Sequence, residues 1–170
     1  MSNFEKAFEF MIKNEGGYIN HKVEGDRGGQ TYAGVARNRW PNWKGWEIID
    51  KDDMDNPKLT ILVHEFYKKN FWNKIKGDLI TDPLVSKSIF DFAVNTGVKT
   101  ASKLVQKVVG STPDGILGKI TIGKLNDYDP KVFIMAYSLK KLDRYKQICR
   151  RNTSQKKFLY GWVTRILKGV

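Results

Sequence analysis

Phe4-Glu5-Lys6-Ala7-Phe8-Glu9-Phe10-Met11-Ile12-Lys13-Asn14-Glu15-Gly16-Gly17-Tyr18 is the stretch from which the fold can be read. Phe4, Ala7, Phe8 and Met11 recur at helical spacing, so the segment has one apolar face to bury. Two consecutive glycines then stop it, because glycine enters the left-handed conformation that ends a helix at no steric cost. The pattern predicts a helix over 4–14 that delivers Glu15 to a sharp turn.

The same helical grammar continues outward. Asn56-Pro57, Asp82-Pro83 and Asp129-Pro130 each place a capping side chain before a proline suited to the first helical position. They predict helices at about 57–73, 83–96 and 130–150. Shorter helices are expected near 99–109 and 118–126, with a last one at about 154–168. Residues 15–34 differ: six glycines and little periodicity predict a loop or small hairpin. The expected fold is therefore mainly α, with one small glycine-rich irregularity near the N-terminus.

With 170 residues, 41% of them hydrophobic, the chain can bury a core without a metal or disulfide staple. Cys149 is the lone cysteine, so no internal disulfide forms. His21 and His64 lack cysteine partners at ligand spacing, which argues against zinc; no metal or cofactor is expected. No stretch reaches the roughly 18 apolar residues of a membrane span. The first residues lack the basic-then-apolar order of a signal peptide. The expected site of synthesis is the cytoplasm, with any action outside it requiring release or export.

Charge is distributed unequally. Residues 1–98 hold 14 basic and 14 acidic side chains, whereas residues 99–170 hold 16 basic and 4 acidic, which accounts for the net +12. The shift near Lys99 suggests a catalytic lobe at 1–98 and a basic helical lobe at 99–170, packed as one compact unit. Such a lobe suits nucleic acid, an anionic membrane surface or an acidic wall polymer, or is simply a solvated helical surface. Lys103, Lys107, Lys119 and Lys124 are the lysines placed to meet carboxylates or phosphates.

Three groups of residues could carry chemistry. Glu15 faces the negative end of its helix dipole, which favours the protonated form that a general acid needs; the alternative is an ordinary residue beside a glycine cap. In Glu24-Gly25-Asp26-Arg27-Gly28-Gly29-Gln30-Thr31-Tyr32, Asp26 and Thr31 could hold a water opposite that acid, or merely satisfy a turn. Asp91 and Asn95 lie four apart on one helix face, with Ser88 beside them. They either line a cleft and bind sugar, or satisfy neighbouring helices. Trp40, Trp43 and Trp46 either stack on sugar rings or pack. Trp72 and Trp162 are expected in the core, and Tyr18 and Tyr32 flank the acid as substrate-binding candidates.

Glu15-Gly16-Gly17-Tyr18, followed by Asp26-x-Gly28-Gly29-x-Thr31-x-x-Gly34-Val35, resembles glycoside hydrolase family 108. Phe90-Asp91-Phe92-Ala93-Val94-Asn95-Thr96-Gly97 resembles that family's mid-chain motif. Asp114-Gly115-Ile116-Leu117-Gly118-x-x-Thr121 resembles its predicted peptidoglycan-binding portion, and Phe158-x-x-Gly161-Trp162-x-x-Arg165 its C-terminal signature. One position departs: Arg27 stands where the family commonly has proline.

The resemblance implies a lysozyme-like helical fold and an N-acetylmuramidase of the phage or prophage endolysin kind. The substrate would be the β-1,4 bond between N-acetylmuramic acid and N-acetylglucosamine in peptidoglycan, and Glu15 would be the general acid. It further implies a separate holin to open the inner membrane. Two other classes stay open at this point. A lytic transglycosylase would use Glu15 alone, and a non-catalytic basic protein would bind or regulate. No helix-turn-helix, zinc-finger or RNA-binding signature points to a specific nucleic acid.

Overall fold

The computed structural model describes residues 1–14, 16–22 and 29–169. They form a mainly helical protein with one small sheet. The order is α1 (Asn3–Asn14), β1 (Asn20–Lys22), β2 (Gln30–Tyr32), β3 (Val35–Ala36), α2 (Gly45–Ile49), α3 (Pro57–Tyr67), α4 (Pro83–Thr96), α5 (Val98–Val108), α6 (Lys119–Asn126), α7 (Pro130–Arg151) and α8 (Leu159–Leu167). By packing they fall into two compact units, Met1–Asn70 and Phe71–Val170. This packing boundary differs from the charge boundary near Lys99, because α4 packs against α5 and α7.

The three proline-led helices start where their caps predict. Asn56 accepts from the Lys58 N–H, Asp82 from those of Leu84 and Val85, and Asp129 from that of Val132. Each side chain thereby satisfies donors that the first helical turn leaves without partners. Past α3, Lys68–Trp72 is wound as a π-helix. The segment expected at 154–168 is a 3-10 turn, Thr153–Phe158, leading into α8.

In the first unit, α1 buries Phe4, Ala7, Phe8, Met11 and Ile12. Phe4 and Phe8 meet the His64 ring of α3 edge-on, at centroid distances of 4.9 and 5.2 Å. Glu5 Oε1 lies 3.1 Å from His64 Nε2, which ties the first turn of α1 to α3. The glycine-rich stretch yields a three-stranded antiparallel sheet in the order β1-β2-β3. His21 pairs with Thr31 and Thr31 with Ala36. Ala33 and Gly34, both with positive φ, make the two-residue turn between β2 and β3. The Tyr67 hydroxyl of α3 donates to the Ala33 carbonyl at 2.8 Å and pins that turn.

In the second unit, α4 is the buried helix: Ile89, Phe90 and Ala93 have no exposed surface. Trp72 packs edge-on against Phe90 and donates its indole N–H to Asp78. Phe92 meets Tyr137 and Tyr145 of α7. Trp162 is half-buried, not enclosed as Trp72 is, and stacks on Tyr145 at 4.5 Å. Among the described residues no helix is long and apolar enough to cross a membrane.

Candidate active site

Glu15 and Asp26 lie outside the described residues, whereas the residues on either side of Glu15 are described. Asn14 is the last residue of α1. Gly16 and Gly17 both take φ of 88°, and the Gly17 N–H reaches back to the Ile12 carbonyl at 2.9 Å. This left-handed turn, closed on the preceding helix, is the geometry that two glycines allow and a side chain would strain.

Thr31 is part-buried in β2, flanked by His21 on one side and Ala36 on the other. Strand alternation puts Tyr32 on the opposite face from Thr31. There the Tyr32 ring is buried and stacks on Trp43 at 6.1 Å. Tyr18 is 40% exposed. Burial first, and the nearby Tyr32 second, hold its phenol above the usual range, so it stays neutral and able to donate. On the Tyr32 face, Gln30 bonds Asn20 and Arg37, and Arg37 grips Asp50 through both terminal guanidinium nitrogens, Nη1 and Nη2. Tyr32 is thus mounted on a short sheet braced by polar bonds, and Tyr18 lies in the bend that leads into β1.

The three tryptophans divide between the alternatives that the sequence left open. Trp46 is buried and donates to the Trp40 carbonyl, so it packs. Trp40 and Trp43 are half-buried and, with Leu62, Glu65, Phe66 and Lys69, line a groove of about 410 Å³ beside α3. Gly45 lies so close under Trp43 that a β-carbon there would overlap the indole ring.

The α4 residues separate as well. Asn95 is exposed. Asp91 is only 8% exposed, and its two carboxylate oxygens accept from Arg165 Nε at 3.1 Å and Nη2 at 2.9 Å. Ser88 accepts from the ammonium of Lys141 at 2.8 Å. Asp91 and Ser88 therefore join α4 to α8 and α7, the structural alternative for that polar stripe. Sequence reasoning missed Arg165 and Lys141 as their partners. The one available signal was that the mid-chain and C-terminal motifs each carry one charge, of opposite sign, among apolar residues.

Burial lowers Lys141 to about 8, opposed by Asp91 and reinforced by Arg165. Its ammonium lies over the Tyr137 ring, 4.6 Å from the centroid. The Asp114-Gly115 segment is a built turn. Gln106 donates to Asp114 and the Ile116 carbonyl and accepts from the Gly115 N–H. Among the described residues no cluster of three or more His, Cys, Asp or Glu converges to hold a metal.

The family described as Glycosyl hydrolase 108 matches residues 8–97, and the one described as Predicted Peptidoglycan domain matches residues 100–167. The chain is similar to the solved structure titled "Structure of Brucella abortus SagA", with 26% sequence identity and a TM-score of 0.76, covering 98% of this chain and 90% of that one. A search of curated proteins found no match.

Proposed function

The chain belongs to the glycosyl hydrolase 108 family, and from that premise we propose that it is an N-acetylmuramidase with Glu15 as its general acid. A glycosidase acting on peptidoglycan accords with the two matched families taken together. The observation carrying the finer reading is the extent of the first match. Residues 8–97 include the end of α1 with Glu15, the glycine-rich segment with Asp26, and the strand with Thr31.

In this reading Glu15 gives its proton to the glycosidic oxygen as the bond to the anomeric carbon of N-acetylmuramic acid breaks. Positive charge develops on the N-acetylmuramic acid ring, while the N-acetylglucosamine leaves with the protonated oxygen as its 4-hydroxyl. A water held by Asp26 and Thr31 attacks the opposite face and loses its proton to Asp26, which inverts the anomeric centre. Tyr18, with its exposed ring, offers a face and a hydroxyl to the sugar, while Tyr32 is taken up by packing against Trp43. Asn95, exposed at the end of α4, is the polar-stripe residue that keeps a substrate-binding role in this proposal.

Mass spectrometry of digested, purified peptidoglycan tests the reading in one measurement. Reducing N-acetylmuramic acid ends, with one water added per cut, are expected. Anhydro ends would replace hydrolysis by transglycosylation, and intact glycan would remove the enzyme reading. As an endolysin the protein would be made in the cytoplasm and reach the wall through a holin. Lysis of cells expressing it only when a holin is co-expressed is the expected result.

A further inference from the structure

The net +12 belongs wholly to the second compact unit, since residues 71–98 add three basic and three acidic side chains to the basic stretch after them. Part of that charge gathers in a groove of about 250 Å³ between α5 and α7, lined by Lys103, Lys107, Lys140, Asp143 and Arg144 among others. Lys103 and Lys107 lie one turn apart on α5, and Lys140 and Arg144 one turn apart on α7. Four cations thus face a single lining carboxylate. That carboxylate is already engaged, because Asp143 Oδ2 accepts from Gln147 at 2.7 Å. Asp114, outside the groove, feels Lys103 but is held chiefly by the Gln106 amide and the Ile116 N–H.

Two costs coincide here. Like charges converge on a small space, where their repulsion is screened less than on an open surface. The Nε of Arg144 is also shut off from solvent and has no hydrogen-bond partner among the described residues, an unfavourable state for a buried donor. An oxyanion in the groove relieves the repulsion among these cations.

The cationic surface continues along α7. Lys140, Arg144, Gln147 and Arg151 share one helix face, and a second cavity lined by Gln147, Arg150 and Arg151 adjoins the first through Gln147. At the helical rise, Lys140 to Arg151 spans about 16 Å. That length exceeds one small anion and suits a chain bearing negative groups at intervals.

We propose that the α5–α7 groove and the α7 face beyond it anchor the protein to an acidic cell-wall polymer through repeated oxyanions, either stem-peptide carboxylates or phosphodiesters. The proposal rests on the peptidoglycan reading only for where the polymer is met, and it assigns this surface no part in bond cleavage.

The test is co-sedimentation of the full chain with insoluble purified cell walls at rising salt. Binding is expected to fall steadily as salt rises. The doubly substituted Lys107→Glu/Lys140→Glu protein, altered only at exposed positions and checked for an unchanged melting temperature, should bind roughly tenfold more weakly. It should still cleave soluble, stem-free glycan at the normal rate. Walls stripped of phosphodiester polymers identify the source: retained binding assigns carboxylates, and lost binding assigns phosphodiesters. Salt-independent binding, full binding by the double variant, or retention on duplex DNA but not on walls would overturn the proposal. Glu15→Gln separates the two readings, since it should sediment normally while failing to cut.

Discussion

Glutamine at position 15 keeps the side chain's size but has no acidic proton to give. Glu15→Gln should therefore fold normally and lose activity by about 10²–10⁴, measured as release of reducing ends from purified walls. Undiminished release would move the acid elsewhere. Asp91 supports a different expectation. With its side chain 11% exposed and that of Arg165 18% exposed, the pair is largely withdrawn from water. Breaking it by Asp91→Ala leaves a buried guanidinium near Lys141, at a cost of about 3 kcal/mol, read as a lower denaturant midpoint. If the midpoint holds while lysis is lost, Asp91 touches sugar instead.

At the scale of the element, the caps and the glycine turn make separable contributions. Asp82→Ala removes the acceptor for two N–H groups at the start of α4 and should destabilise the protein by about 1 kcal/mol. Thermal unfolding checks it, with activity per folded molecule unchanged. Gly17→Ala forces an L-residue to φ of 88° in open space, so strain is its main effect. A loss of about 1 kcal/mol is expected, together with reduced cleavage if the turn positions Glu15. Helix starts were readable at this scale because a cap and a proline act locally. The sheet was less so: the glycine-rich stretch announced a loop or hairpin, and the turn into its third strand is held at Ala33 by Tyr67, far along the chain. Likewise the five-residue α2 carries no signal beyond its tryptophans.

Across the second unit, Lys141 makes stability depend on pH. Its folded value of about 8 lies below the unfolded 10.5, so between these limits the unfolded chain binds more protons and stability rises with pH. The gain, on the order of 2 kcal/mol, should appear between about pH 8 and 10. Above that, the phenols oppose it. Burial raises Tyr145 to about 12 and Tyr137 well above its usual value, so both ionise more readily when unfolded. Asp91 and Arg165 are the other charged groups acting on Lys141. Equilibrium denaturation across this range should show a maximum near pH 10, and Lys141→Met should abolish the rise below it.

The local terms were legible in the one-dimensional chain: helical period, capping pairs, the glycine stop after Glu15 and the basic excess after Lys99. Each depends on residues within a few positions of one another, or on composition alone, so no tertiary contact is needed to read it. Tertiary structure alone decided that Asp91 belongs to Arg165, that Ser88 accepts from Lys141, that Trp46 packs while Trp40 and Trp43 line a groove, and that cations from α5 and α7 share one. Those outcomes join residues tens of positions apart. Their pairing follows from which helix faces are buried together, and sequence spacing carries no term for that.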